Sequence, residues 1–467
     1  MNEESETDLS EWELASTKKM MCYSSGFFIS SVIGSVFRTI IFYYYEVEIG
    51  LPVILLGLAF VIFGVWNMVN DPLAAYLTDR PFRWTKRWGM RFPWIVIGVI
   101  PSLVFYLLLF LSPIADPSNP WPVFWYFIIM SCILDTFLSI YTTHLNAGYT
   151  THFRTQVERN RSSLINNTFP ILLGLPLGIM LPYIIVYGKR DTYILAVLIT
   201  ELFLVVYVIL LILGTRESDE LKERFLRGYA TTKKDSFRNT MKEAFQRRSF
   251  KVTFLVFLLL TIGSTLASVS GIYFLKDVLR LPLSTVLITG FYGLIGFLIG
   301  IFSWAWFSKR FGHAKTMKIS LLLSCLAYLP SLWITTLVEA IIFTFLGAIA
   351  SSCFFISLGP VAADVYDEST VATGKHQEGT YEGMRAFFYR VAFVIVGIVI
   401  PVVHILTDYN PDPNAIQTPS AIWGLRILSG LIPSLLSFIA FIIMTVWYDL
   451  EGEKIVAIKQ KLMEMRL

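Results

Sequence analysis

The sequence predicts an all-α membrane protein whose twelve transmembrane helices form two six-helix bundles. Of its 467 residues, 55% are hydrophobic and 15% aromatic, and the mean hydropathy of +0.63 exceeds that of ordinary soluble domains. Apolar runs close to the roughly 20 residues that span a bilayer recur along almost the whole chain. Each run is interpreted as a helix, because a backbone exposed to lipid must satisfy its own hydrogen bonds.

The order of these runs defines the predicted domains. One long hydrophilic segment separates the first six runs from the last six. We therefore expect a tail at 1–19, a bundle at 20–214, a central loop at 215–250, a second bundle at 251–448 and a tail at 449–467. The predicted helices are 20–45, 51–70, 93–112, 122–150, 165–187, 191–214, 251–276, 283–307, 315–337, 338–364, 385–406 and 421–448.

Lysine and arginine set the expected orientation. With an inside N-terminus, 31 of the 38 basic residues fall in cytoplasmic segments. Only Lys189, Arg190, Lys276 and Arg280 fall outside. Cytoplasmic loops are the ones that carry this excess, so we expect both termini in the cytoplasm and the protein in the plasma membrane. The net charge of +4 reflects this sidedness and predicts no nucleic-acid partner.

The residue pattern argues against an enzyme or a nucleotide-driven pump. The four cysteines lie within apolar runs, at spacings that suit neither a disulfide framework nor a metal site. We find no phosphate-binding loop with a lysine, no zinc-binding histidine pair and no nucleophile elbow. We therefore expect no cofactor, and no metal beyond a possible sodium site.

A charged hinge follows the second run. It reads "NDPLAAYLTDR" at 70–80 and continues as "RWGMRFPWIVIG" at 87–98. A weaker echo, "SWAWFSKRFGHAK" at 303–315, occupies the same point of the second half. A duplicated six-helix unit of this kind is typical of transporters built from internal repeats.

The hinge resembles the signature loop of the glycoside-pentoside-hexuronide:cation symporters, the melibiose-permease-like branch of the major facilitator superfamily. Two further stretches are similar to that family: "YYYEVEIGLP" at 43–52 and "ADVYDESTVATGKHQEGTYEGMRAFFYR" at 363–390. The resemblance implies the major facilitator fold, alternating access, and solute transport coupled to sodium or protons.

The family's cation site, carried over by position, is only partly present. Its first-helix aspartate falls on Ser31 and its earlier second-helix carboxylate on Asn67, whereas the later one is retained as Asp71. Asp71 lies one turn from Asn67, so the two share a helix face. An ionisable residue this close to the membrane is a functional candidate, although an inner-end charge within the hinge is the alternative. The resemblance implies Asp71, Asn67 and Ser31 as cation ligands.

The fourth helix offers two candidates for the family's sugar-binding aspartate. Counting back from "VERNRSSL" selects His144, whereas a gapped alignment on "ILDTF" selects Asp135. The two lie nine residues apart, about 180° around a helix, so both cannot face one cavity. We prefer His144 because it lies deeper. Its alternative role is a histidine hydrogen-bonded between helices.

Two arginines suggest an anionic solute. Arg38 lies on the face of Ser31, and Arg390 occupies the family's lysine position on the eleventh helix. Guanidinium groups hold anions with a planar fork of donors. The alternative is pairing with buried carboxylates such as Asp71 or Asp135. Tyr141 is added as an aromatic that could stack on a sugar.

The remaining charged residues receive structural interpretations. By analogy with this fold, Asp79, Arg80, Arg87 and Arg91 form a gating loop. Glu201 stands alone on the sixth helix, and His404 and Arg426 are expected at the outer interface.

The predicted function is cation-coupled symport of a sugar or sugar derivative. One alternative is a transporter of lysolipids or other organic anions, because a related branch that moves lysolipids carries a histidine at the place of His144. Another is a scaffold or sensor that kept the fold without transport. The expected partners are a small solute (sugar, uronate or lysolipid) and the bilayer.

Overall fold

The structure, a computed structural model, describes residues 15–78, 81–153, 155–219, 221–222, 245–373 and 378–465. Within these ranges the chain is helical and contains no strand. Most of the predicted central loop, and Asp79 and Arg80 of the predicted gating loop, lie outside the described residues.

Twelve helices correspond to the twelve predicted runs. The first six are α1 (Thr17–Thr39), α2 (Val53–Thr78), α3 (Phe92–Phe110), α4 (Trp121–His152), α5 (Gln156–Ile184) and α6 (Arg190–Thr215). The next five are α7 (Arg248–Tyr273), α8 (Val286–Phe311), α9 (His313–Tyr328), α10 (Leu337–Thr373) and α11 (Glu378–Leu406). The twelfth, α12, has two parts, Pro419–Arg426 and Ile432–Trp447, joined by a π turn at Ile427–Leu431. A further helix, α13 (Glu453–Met465), follows.

Eleven of these helices, among the described residues, are long and apolar enough to cross a membrane. The exception is the ninth. The sequence predicts a run at 315–337, but α9 has 16 residues and then tightens into a 3-10 turn at Leu329–Leu332. Pro330 lies at the start of this turn, where it cannot continue an α-helical hydrogen-bond ladder. The predicted all-α, multi-pass fold is otherwise confirmed.

Chain contacts divide the protein into two compact units. Unit 1 holds Met1–Phe37 and Trp66–Lys233, and unit 2 holds Arg38–Val65 and Lys234–Leu467. Unit 2 thus contains the segment Arg38–Val65, which comes from the first half of the sequence. This segment covers the end of α1, a short turn at Ile41–Tyr43, a π turn at Tyr44–Glu48 and the beginning of α2.

In unit 1, α3 packs against α4 and α6. Gly98 allows this close approach, since a Cβ there would meet the Tyr141 Cβ at 2.6 Å. The N-terminus of α5 carries a capping box in which the Thr155 hydroxyl accepts from the Glu158 N–H and the Glu158 carboxylate accepts from the Thr155 N–H. That carboxylate also accepts the N–H of Ala15 at 2.7 Å. The start of α1 is therefore fixed to the start of α5.

In unit 2, α8 packs along α10, and α7 lies against α11 and α12. A buried apolar cluster, which includes Val256, Leu321, Val361 and Met444, joins α7, α9, α10 and α12. The amphipathic helix α13 packs on this cluster through Ile458. The ion pair between Lys454 and Glu368, at 3.1 Å, also connects α13 to α10.

Candidate functional site

The first site lies where α2 and α4 meet in unit 1, and it contains two carboxylates. The Asn70 amide on α2 donates to Asp135 Oδ2 at 3.0 Å and to Ser139 Oγ at 3.2 Å, both on α4. The Ser139 hydroxyl in turn donates to Asp71 Oδ1. One network, here called the carboxylate cluster, therefore joins Asp71 and Asp135 through Asn70 and Ser139.

Helix geometry explains why these four side chains meet. Asp135 and Ser139 are four residues apart and so lie on the same face of α4, while Asn70 and Asp71 are consecutive on α2. Asn70 and Ser139 are buried, at 4% and 6% exposure, and both carboxylates are half-buried. Among the described residues, Asp135 forms no ion pair. The cluster can supply several hard oxygen atoms and up to two negative charges, which suits a proton or a small cation.

The structure distributes the other predicted cation ligands differently. Ser31 is exposed, and its hydroxyl donates to the Phe27 carbonyl within α1. Asn67 is buried at 9% exposure. One turn further along α2, the Asn70 amide reaches α4. Sequence reasoning overlooked Asn70 although it stands beside Asp71 in the quoted hinge.

His144 and Asp135 both hydrogen-bond to α2, His144 through Thr78 and Asp135 through Asn70, although their spacing predicts opposite faces of α4. The His144 ring is buried, lies 2.7 Å from the Thr78 hydroxyl and stacks on Trp94 at 6.0 Å between ring centroids. This arrangement matches the alternative in which the histidine is hydrogen-bonded between helices. Tyr141 is fully buried and its hydroxyl donates to the Gly26 carbonyl, so the fold engages the atoms that a sugar would contact.

The predicted solute-binding arginines both lie in unit 2. Arg38 Nη1 donates to the Tyr389 hydroxyl at 2.9 Å, and Arg390 is the next residue of α11. Both arginines are half-buried. Within the part of unit 2 that the structure describes, Arg38 has no carboxylate partner. The Tyr389 hydroxyl is neutral, so this contact does not compensate the charge of Arg38.

The hinge before α3 is fastened by a residue that the sequence analysis did not select. Glu217, which follows α6, accepts the backbone N–H groups of Met90, Arg91 and Phe92 at 2.7–3.0 Å. These are orphan donors at a helix N-terminus, where a negative charge is favourable. Gly89 has φ +97°, and a Cβ there would meet the Glu217 carboxyl group at 2.6 Å.

The gating-loop arginines take separate positions around this hinge. The Arg87 guanidinium lies over the Trp88 ring at 5.4 Å. The Arg91 backbone N–H is one of the three donors to Glu217.

His404 and Arg426 correct an expectation, because neither lies at an interface with solvent. Their exposures are 2% and 8%. Arg426 donates to the carbonyls of Ser331 and Ile334 at the end of the 3-10 turn after α9. His404 Nδ1 lies 2.9 Å from Glu46 Oε1. Two carbonyl groups therefore compensate the Arg426 guanidinium in the interior, and the Glu46 carboxylate compensates His404 at Nδ1.

Comparisons with known proteins now decide the family. Residues 22–452 match the family described as MFS/sugar transport protein. The chain belongs to this family. It is therefore a membrane transporter and not an enzyme, and the predicted symporter function and major facilitator fold are confirmed at the level of the family.

Individual relatives are distant, and most are named symporters. A Synechocystis protein named uncharacterized symporter sll1374 is 30% identical over 38% of this chain and 32% of its own length. The putative glycoside/cation symporter YagG of Escherichia coli is 23% identical over 91% of this chain and 90% of its own. The sodium-dependent lysophosphatidylcholine symporter 1-A of Danio rerio is 22% identical over 69% and 64%.

A solved structure supports the fold alone. The nucleoside transporter NupG superposes with a TM-score of 0.62 at 15% identity, over 92% of this chain and all of that one.

Proposed function

We propose that this transporter couples the movement of an anionic sugar derivative to a cation that binds at the carboxylate cluster. The observation that carries the proposal is the network of Asp71, Asn70, Ser139 and Asp135. Two neighbouring carboxylates within a membrane repel each other, and a bound proton or sodium ion relieves that repulsion. The names of YagG and of the lysophosphatidylcholine symporter support a cation as the coupling partner.

Asp135 restores a charge that Asn67 does not supply. The family places two carboxylates on the second helix, and here only Asp71 remains. The second negative charge comes instead from α4, one turn from the Ser139 hydroxyl that contacts Asp71. The proposed site therefore keeps two carboxylates, on two helices.

Ion-stimulated uptake into proteoliposomes tests the cation site. Asp71→Asn and Asp135→Asn keep the side-chain shape and remove one charge each, so both should abolish ion stimulation while solute binding remains detectable. Asp219→Asn, at an exposed carboxylate, is the matched control. A sodium gradient and a proton gradient applied separately identify the ion. Unchanged ion dependence in both cluster variants would contradict the proposal.

The proposal that the solute is anionic depends on Arg38 and Arg390. Ser31, Asn67 and His144 stand where the family has carboxylates, and Asp135 makes up for one of these three charges, while Arg38 is added on the face of Ser31 and Arg390 stays basic. Removing negative charge and keeping positive charge favours an anion. Arg38 also has no carboxylate partner among the described residues of unit 2, so its charge is available to a solute.

A matched pair of ligands tests this part. We would measure the affinity of a uronate and of its neutral sugar for wild type, Arg38→Gln, Arg390→Gln and the exposed control Arg310→Gln. Charged hydrogen bonds contribute roughly 1.5 to 3 kcal/mol each, so uronate binding should weaken by about one to two powers of ten. An equal loss of affinity for the uronate and for the neutral sugar would mean that the arginines stabilise the fold and do not bind the charge of the solute.

A lysolipid remains the second candidate solute. The relative from Danio rerio is named for lysophosphatidylcholine, and a phosphate group would also suit two arginines. Including a lysophospholipid in the same affinity series separates the two: binding of the lysophospholipid but not the uronate would favour the second candidate.

We also propose that both termini are cytoplasmic and that the protein resides in the plasma membrane. The excess of basic residues in the predicted inner segments supports this orientation. Cysteines introduced at Ser236 and at Asn414 should react differently with an impermeant reagent applied to intact cells. Only the cysteine at 414 should be labelled, and labelling at 236 would overturn the orientation.

A further inference from the structure

Unit 2 contains a buried carboxylate, Glu46, that the proposed function does not use. Glu46 is 3% exposed and lies in the π turn at Tyr44–Glu48. Its Oε2 accepts from the Tyr273 hydroxyl at 2.5 Å, and its Oε1 lies 2.9 Å from His404 Nδ1. Tyr273 and His404 are themselves 0% and 2% exposed. Each carboxylate oxygen thus has a partner away from solvent.

The partners of Glu46 come from the other half of the sequence. Glu46 belongs to the segment Arg38–Val65, whereas Tyr273 ends α7 and His404 lies in the last turn of α11. Burying a carboxylate is costly unless it is hydrogen-bonded. The segment can therefore keep Glu46 buried only while it is docked on α7 and α11.

Aromatic rings enclose the three side chains. The Tyr43 ring lies 5.0 Å from that of Tyr273, and the Tyr409 ring lies 4.4 Å from that of His404. Lys276 Nζ lies 5.9 Å from the centre of the Tyr43 ring and pairs with Asp277 at 3.1 Å. The Tyr409 hydroxyl donates to that Asp277 carboxylate at 2.9 Å.

Below these side chains, the segment rests on α11 through glycines. A Cβ on Gly57 would collide with the Gly397 carbonyl, and a Cβ on Gly397 would meet the Gly57 carbonyl at 2.7 Å. Small residues of this kind let two helices approach without interlocking side chains. The polar bonds of Glu46 therefore supply much of the specific attachment at this end of the segment.

We propose that Glu46, Tyr273 and His404 form a latch that holds the segment Arg38–Val65 on the C-terminal helices, and that its release is a step of the transport cycle. The release step rests on the proposed function, because alternating access requires the two halves of the chain to separate at one end. The segment is covalently part of the first half. It must leave α7 and α11 when that separation occurs, and Glu46 then loses both partners.

Labelling of a buried cysteine tests the latch directly. Leu56 is fully buried within the segment, so a Leu56→Cys reporter should react with a maleimide only when the segment detaches. We would measure the labelling rate of purified protein in detergent, without solute or ion gradient, after subtracting the rate of the protein without the reporter. The variants are Glu46→Ala and the conservative Tyr273→Phe, which removes one donor and keeps the ring.

Both variants should label about tenfold faster or more, because loss of one buried hydrogen bond shifts an equilibrium by that order. Asp408→Asn, at an exposed carboxylate just after α11, should label at the wild-type rate. Size-exclusion chromatography identifies any variant that has lost its fold, and Tyr273→Phe then decides. Two results together would overturn the latch. Tyr273→Phe would label at the wild-type rate, and Glu46→Ala would either label at that rate or lose its fold. Faster labelling of a protein that shows no uptake would support the latch and contradict the proposed function.

Discussion

The first helix of each half ends in the same way, at 43–52 and again 230 positions later at 273–282. Each stretch begins with a tyrosine, passes through a π turn (Tyr44–Glu48 or Phe274–Val278) and ends in Leu-Pro. The backbone bonds also correspond: Ile49 N–H to the Tyr44 carbonyl matches Leu279 N–H to the Phe274 carbonyl, both at 3.0 Å. Identical backbone geometry has thus been kept on two dissimilar sequences.

The charges of the two stretches are handled differently. In the second copy, Lys276 pairs with its neighbour Asp277, so the copy neutralises its own charge. In the first copy, Glu46 occupies the position equivalent to Lys276 and depends on Tyr273 and His404. The comparison teaches that the second end is self-contained in charge, whereas the charge of the first end is compensated by side chains of α7 and α11.

The largest expected effect comes from breaking the self-contained copy. Asp277→Asn leaves Lys276 buried at 8% exposure without its partner, and breaking a buried ion pair costs about 3–5 kcal/mol. The thermal-unfolding midpoint of Asp277→Asn in detergent should fall clearly below that of wild type. The double variant Lys276→Met/Asp277→Asn removes both charges and should recover most of the loss. If the unfolding midpoint of the double variant is no higher than that of Asp277→Asn, the conclusion that Lys276 and Asp277 neutralise each other is wrong.

A smaller effect should follow from disturbing the docked copy at its glycine contact. Gly57→Ala places a Cβ against the Gly397 carbonyl, and overpacking of this kind costs about 1–3 kcal/mol. Gly271→Ala is the matched control, since that glycine lies in α7 and a Cβ there meets nothing within 4 Å. The midpoint should fall for Gly57→Ala and stay equal or rise for Gly271→Ala. Equal midpoints would show that the helices do not approach as closely as described.

The smallest effect concerns the residue that follows each π turn. Gly50 has φ +78° and Arg280 has φ +55°, in the left-handed region that costs a non-glycine residue about 1–2 kcal/mol. Gly50→Ala should therefore lower the unfolding midpoint, and Arg280→Gly should leave it unchanged or raise it slightly. Two shifts of the same sign would mean that the two turns do not share one backbone geometry.

Sequence reasoning predicted the helices better than the contacts between them. Hydropathy located the transmembrane runs because lipid imposes length and apolarity on each helix independently. It overestimated α9, whose end is set by the local turn at Pro330. The repeat at 43–52 and 273–282 can be read in the sequence as Tyr, eight residues and Pro, but the identical residues are too few to reveal it without the π turns.

The candidate site shows where such reasoning stops. Asp71 was selected as a cation ligand because its motif marks it, and the structure places it in contact with Ser139. Asp135 was set aside on depth alone, and Asn70 was overlooked, because the register between α2 and α4 is a property of packing. His404 was expected at the outer interface for the same reason. Its partner Glu46 lies 358 positions away, and no residue near His404 in the sequence indicates that contact.

The bond between Glu217 and the start of α3 has a mechanical consequence. The central loop begins after α6. Glu217, near its start, is held by three backbone N–H groups at the hinge before α3. A pull along the loop is therefore shared between the end of α6, which is covalently continuous with Glu217, and the start of α3, which is bonded to it. A displacement of the loop would thus reach α3 as well as α6, until the three backbone bonds to Glu217 break.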